Sequence, residues 1–142
     1  MINIIGSLTL IFLFVECSAL SISPKKVPEA IQEAQSKMYP GVRKLSWSLE
    51  NENYECSFHQ AGIEYSVVWS PSAMPLEIEI EVKLSEIPAI IKDYIQKNHP
   101  GKKPKEVARI TLISGVIQYE IEMNGKDYLF TDSGSLIKPE KQ

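Results

Sequence analysis

Cys56 and His59 are the nearest approach in this chain to a nucleophile and its base. Such a pair works only within hydrogen-bond reach. Residues three apart on one strand point to opposite faces, so the spacing separates them and Cys56 reads as a small core residue. His99 precedes Pro100 where a helix should end, a position at which a histidine complements the helix dipole. The run Glu77, Glu79 and Glu81 places three carboxylates on one strand face, about 6.5–7 Å apart. That is wide for sharing a calcium ion, whose ligands stand about 2.3–2.6 Å from the metal. With Glu55, Glu120 and Glu122 they make an acidic sheet face suited to a basic partner. An acidic face is also what a solvated sheet uses to discourage edge pairing. Asp132-Ser133-Gly134 lacks the remaining acidic positions of a calcium loop and reads as a turn. The H-E-x-x-H, C-x-x-C, G-x-S-x-G and phosphate-loop motifs are missing. No catalytic residue, metal ligand or cofactor site is therefore assigned, and the chain reads as a non-enzyme.

The elements that carry these residues recur. Val27-Pro28-Glu29-Ala30-Ile31 and Tyr39-Pro40-Gly41 reappear 60 residues on as Ile87-Pro88-Ala89-Ile90-Ile91 and His99-Pro100-Gly101. Leu45, Trp47, Tyr54, Cys56 and Phe58 align with Ile110, Leu112, Tyr119, Ile121 and Met123 at an offset of 65, which puts five extra residues after the second Pro-Gly. Val67-Val68-Trp69 align with Tyr128-Leu129-Phe130 at an offset of 61. Length changes confined to loops are the mark of a duplication.

Each copy opens with a helix. Ile87, Ile90, Ile91, Tyr94 and Ile95 form an apolar stripe, as do Val27, Ala30, Ile31, Ala34 and Met38. Pro28 and Pro88 fall in the first turn, where no N–H is needed, and each Pro-Gly stops its helix. Alternating segments follow: Tyr54 to Phe58, Leu76 to Val82 and Ile117 to Met123. Asn124-Gly125 predicts a tight hairpin turn, because both residues tolerate positive φ. Pro71-Ser72-Ala73 stands where the second copy has Asp132-Ser133-Gly134, so the first turn is expected to differ. The fold class is α+β: two tandem helix-plus-antiparallel-strand repeats, about 25–83 and 84–138, forming one sheet with both helices on one face.

Bulk properties narrow the function. The chain has 142 residues, 44% hydrophobic and 23% charged, which suits one globular domain. A net charge of −3 argues against nucleic-acid binding, and Lys102-Lys103-Pro104-Lys105 is only a short basic loop. Two histidines and seven glycines leave little for metal clusters or phosphate loops. The apolar run Leu8–Val15 is too short to span a bilayer and fits the core of a secretory signal, with Cys17-Ser18-Ala19 placing small residues before a cut between Ala19 and Leu20. Residues 1–19 are thus read as a signal peptide and 20–142 as the mature domain, with no integral membrane span. A second reading acylates Cys17 as a lipoprotein anchor, but Glu16 stands where a lipobox has a small residue.

The residues Val27-Pro28, Tyr39-Pro40-Gly41, Tyr54-Glu55, Ile87-Pro88, His99-Pro100-Gly101, Tyr119-Glu120 and Asp132-Ser133-Gly134 resemble the PepSY-like, β-lactamase-inhibitor-like family over residues 24–138. The resemblance implies a small exported bacterial protein of tandem helix-plus-sheet repeats, in a family whose members mostly have no assigned activity. Related PepSY modules occur in propeptides of thermolysin-type metalloproteases, with an inhibitory or chaperoning role. The β-lactamase inhibitor protein grips an enzyme with a concave sheet, but none of its contact residues carries over to this chain.

The expected function is an exported, non-catalytic binding module, periplasmic or secreted. It would hold an unknown protein or peptide, such as an envelope enzyme that it inhibits, on its open sheet face through Glu55, Glu77, Glu79, Glu81, Glu120 and Glu122. The alternative is an envelope sensor of a small ligand or of stress. N-terminal sequencing of the exported protein should begin at Leu20. A chain acylated on Cys17, or one that keeps Met1, would contradict the cut.

Overall fold

The protein is described by a computed structural model covering residues 20–137. The expected signal peptide and the alternative lipid anchor at Cys17 concern residues 1–19, outside the described residues. Nine strands form one antiparallel sheet in plain sequence order: β1 (Leu20–Ile22), β2 (Ser46–Glu50), β3 (Asn53–Gln60), β4 (Ile63–Trp69), β5 (Pro75–Glu81), β6 (Glu106–Leu112), β7 (Ile117–Met123), β8 (Lys126–Thr131) and β9 (Leu136–Ile137). Helix α1 (Glu29–Met38) leaves the sheet between β1 and β2, and α2 (Ala89–Asn98) between β5 and β6. A single 3-10 turn precedes each helix.

Directly paired residues of antiparallel strands share a face, so the register assigns the layers. Trp47 pairs with Cys56, Cys56 with Val67 and Val67 with Ile78. Farther along, Val107 pairs with Ile121, and Arg109 pairs with both Ile80 and Tyr119. This one face meets both helices. Ile31 of α1 packs with Trp47, Cys56, Phe58, Val67 and Trp69, whereas Ile91 and Ile95 of α2 pack with Val107, Tyr119, Ile121, Met123 and Phe130. The α+β class and the common helix face are therefore as the sequence reads. A full Leu or Ile side chain buried here contributes about 1.5–3 kcal/mol, which is what holds each short helix down.

Three details depart from the sequence reading. First, the five extra residues of the second copy do not follow its Pro-Gly. Val107, not Leu112, occupies the place of Trp47, since each pairs opposite the equivalent core residue, Ile121 and Cys56. The offset of the helices thus continues into β6, and the insertion lies in the longer β6–β7 hairpin. Ile110 and Leu112 consequently face away from the helices.

Second, the β4–β5 and β8–β9 turns are alike. In the first, the Ser70 N–H donates to the Met74 carbonyl (2.9 Å) and the Ala73 N–H to the Ser70 carbonyl (3.0 Å). In the second, Thr131 and Gly134 donate to Ser135 and Thr131, both at 2.9 Å. Ser70 and Thr131 also hold equivalent hydroxyl bonds, to Ser72 and Ser133. Ala73 simply accepts the left-handed conformation, φ 60°, that Gly134 adopts at 83°.

Third, the buried helix stripes are narrower than the periodicity implies. Met38 and Ile90 are exposed, and the place of Ile95 in α1 is taken by Gln35, 1% exposed. Its Oε1 accepts a 2.9 Å bond from the indole N–H of Trp69. The equivalent pair in the second copy, Ile95 and Phe130, is wholly apolar.

Gly134 is held to its type by contact as well as by φ, because a Cβ there would run into the Cγ2 of Ile90. The equivalent positions of the first copy are Ala73 and Ala30, a smaller helix residue facing a larger turn residue. Gly134→Ala should cost about 1–3 kcal/mol in urea unfolding. Adding Ile90→Ala should recover the steric part and leave only the backbone strain. An unchanged urea midpoint for the single variant would contradict the close approach.

Candidate functional site

The face without helices carries all six glutamates singled out from the sequence. Glu55 pairs across to Val68, Val68 to Glu77 and Glu77 to Leu112. One step along the strands, Ser57, Ser66, Glu79, Ile110, Gln118 and Thr131 form the next row. Glu81, Ala108, Glu120 and Leu129 form the third, and Glu106, Glu122 and Asp127 the fourth. The register of β5 positions this whole array, since its alternation sends Ile78 and Ile80 to the helices and Glu77 and Glu79 to the other side.

These carboxylates are not equivalent. Glu122 is bound by Lys105, whose Nζ lies 2.9 Å from both carboxylate oxygens. Glu55 accepts bonds from the hydroxyls of Ser48 (2.8 Å) and Ser66 (2.6 Å). Glu81 is exposed. Glu77, Glu79 and Glu120 occupy the centre and form no hydrogen bond or ion pair among the described residues.

The expectation of a freely solvated acidic face fails at this centre. Glu77 is only 8% exposed, and Ile110 and Ala108 of the same face, opposite Glu79 and Glu81, are 0% and 2% exposed although no helix covers them. An uncovered sheet face buries a small or branched side chain only when longer side chains beside it on the same face close over it. Burial penalises ionised carboxylates. It pushes the pKa of Glu79 up to about 8, with Glu120, Glu77, Glu106 and Glu55 adding repulsion. Glu77 rises to about 7 by burial and then by the charges of Glu55 and Glu50. Glu120 rises to about 7 by burial, then by Asp127, Glu106, Glu77 and Glu122. Glu50 and Glu106 are raised as well, again chiefly by burial.

Cys56 and His59 are kept apart, as their spacing requires. Cys56 sits wholly buried in the α1 core, where burial pushes its thiol up to about 12. The His59 ring lies out on the opposite face, 3.9 Å from Glu64. His99 caps α2 and packs edge-on against Tyr128. No three described His, Cys, Asp or Glu side chains converge closely enough to hold a metal ion. No helix among the described residues is long and apolar enough to cross a membrane.

Sequence reasoning overlooked the floor of the site, Val68, Ala108, Ile110 and Leu112, and the outer acids Glu50, Glu106 and Asp127. The signal was present: carrying the helix offset into β6 aligns Trp47 with Val107 and turns Ile110 and Leu112 to the open face.

The raised carboxyls make folding pH-dependent with a definite sign. A carboxyl whose folded pKa lies above its ordinary 4.5 contributes stability that is fully present below about 4.5 and is lost as pH rises through about 7–8. Urea unfolding should therefore show greater stability at pH 5 than at pH 8. Glu79→Gln should raise stability at pH 8 by roughly 1–3 kcal/mol, since each tenfold change in proton affinity is worth about 1.4 kcal/mol, and change little at pH 5. The opposite ordering would mean that the centre is solvated.

The fold recurs in solved structures. A "putative periplasmic protein" from Bacteroides eggerthii aligns with TM-score 0.67 and 21% identity, over 79% of this chain and 86% of its own. A DUF2874 family protein from Bacteroides uniformis gives 0.64 and 21%, over 78% and 86%. A BLIP-like protein from Bacteroides fragilis gives 0.57 and 20%, over 80% and 84%. No curated protein matches the chain. The family model described as "Putative beta-lactamase-inhibitor-like, PepSY-like" matches residues 11–72 and again 52–138. With nearly the full chain matched, and matched twice, the protein belongs to the PepSY-like family.

Proposed function

We propose that the protein is an exported, non-catalytic binding module that holds a protein or peptide on the helix-free face of its sheet, acting as an inhibitor of that partner. The observation that carries this reading is the centre of the open face, where unpartnered carboxylates surround a buried apolar floor of Ile110 and Ala108. The half-buried Val68 and Leu112 on either side of Glu77 add apolar surface, and apolar surface set among polar groups is the usual anatomy of a recognition surface. A cluster of like charges with raised pKa values is costly to folding, and perturbed carboxyls concentrate at functional sites. Export is supported by the apolar Leu8–Val15 run and by the periplasmic description of the B. eggerthii protein. The inhibitor role is supported by the family description and by the BLIP-like neighbour. The non-catalytic reading is supported by the separation of Cys56 from His59 across the sheet.

A pull-down from envelope extract identifies the partner, and enzyme activity falling on addition of the pure protein would support inhibition. Association rates should then be compared for the wild type and Glu77→Gln/Glu79→Gln/Glu81→Gln. Electrostatic steering predicts a rate roughly threefold to tenfold lower for the variant at low salt, with a shallower salt dependence. Equal rates and equal salt slopes would remove the open face from recognition.

A further inference from the structure

Glu77 is only 8% exposed as a whole residue, and its carboxylate, which keeps some contact with solvent, forms no hydrogen bond or ion pair among the described residues. A polar group so withdrawn is costly unless something satisfies it. Along β5 its same-face neighbour is Glu79, which is equally unpartnered. In register with Glu77 stand Val68 and Leu112, and in register with Glu79 stand Ser66 and Ile110. Acid heads and aliphatic floor therefore lie side by side at the middle of the face. Lysine and arginine have the matching construction, a methylene stem ending in a cation.

We infer that the centre of the open face is a seat for one lysine or arginine side chain of a protein partner, its stem lying on the half-buried Val68 and Leu112 and its charged head meeting Glu77, Glu79 and Glu120. This deepens, and rests on, the reading of that face as the recognition surface. The surroundings favour a cation from every side. Glu50 on β2, Glu55 on β3 and Glu64 on β4 flank the seat from the first repeat, and His59 on the same face lies 3.9 Å from Glu64. Glu81 on β5, Glu106 on β6, Glu122 on β7 and Asp127 on β8 flank it from the second. Lys105, which interacts with Glu106 and Asp127 as well, is already engaged by Glu122. A head group entering the seat favours the ionised carboxylates, so binding expels protons and strengthens as pH rises through about 7–8.

The test is a 15N-resolved NMR titration of the full domain with N-acetyl-arginine methylamide and N-acetyl-lysine methylamide. The citrulline analogue, which keeps the shape of arginine without its charge, is the control. The cationic probes should shift the amides of Glu77, Glu79, Ile110 and Glu120. Their affinity should rise by about fivefold or more between about pH 6 and pH 8.5 and be lost in Glu77→Gln/Glu79→Gln, whose fold is checked by its spectrum. Equal shifts from citrulline would overturn the charge-based seat, and shifts confined to the helix face, or none, would overturn the seat altogether. Those failures leave the broader reading standing, because it is decided separately by whether the captured protein associates more slowly with Glu77→Gln/Glu79→Gln/Glu81→Gln.

Discussion

Everything in this molecule depends on the continuity of one antiparallel ladder through β5. That strand closes the first repeat with its pairing to β4 and opens the second with its pairing to β6. Its alternation has two outputs that cannot be separated. Ile78 and Ile80 must face the helices if both apolar cores are to lie on one side, and that choice alone sends Glu77 and Glu79 to the other side. A one-residue slip would invert both faces at once, burying carboxylates under the helices and exposing isoleucines.

The two repeats solve the same packing problem with different side chains. Under α2 the solution is apolar throughout, with Ile95 and Phe130 in contact range of one core. Under α1 a glutamine and a tryptophan exchange a hydrogen bond in a fully buried setting. Gln35 brings a second polar atom, its Nε2, which has no partner among the described residues. An unsatisfied buried amide costs about 1–3 kcal/mol, so the first core is the less economical of the two. The turn positions show the same exchange of volumes, Ile90 against Gly134 in one copy and Ala30 with Ala73 in the other. In both cases the substitution at one position is intelligible only beside its partner on another element.

The open face has the opposite character. Its outer carboxylates are settled by ordinary means, Glu122 by a lysine and Glu55 by two serine hydroxyls. The inner ones are left uncompensated and partly withdrawn from water. Nothing in the packing of the helices requires acids there, since Ala108 and Ile110 between them are apolar and tolerated. The arrangement costs stability at neutral pH while doing nothing for the core.

By itself the sequence determined the class of fold, the duplication, the helix positions and the outward alternation of all six glutamates. These follow from local rules: apolar period 3.6 or 2, proline before a helix, glycine after it, and Asn-Gly at a hairpin. It did not determine the strand register in β6, where Ile110 and Leu112 match the apolar pattern of Leu45 and Trp47 equally well. Only pairing opposite Glu79 and Glu77 decides their face. Nor did it reveal that Pro71-Ser72-Ala73 and Asp132-Ser133-Gly134 make one kind of turn, because alanine can be forced to φ 60° by the strands on either side. The difference between a glutamate in water and one beside a buried isoleucine was likewise beyond it. Burial depends on side chains brought in from neighbouring strands such as β4, β6 and β7, and no local stretch of chain contains that information.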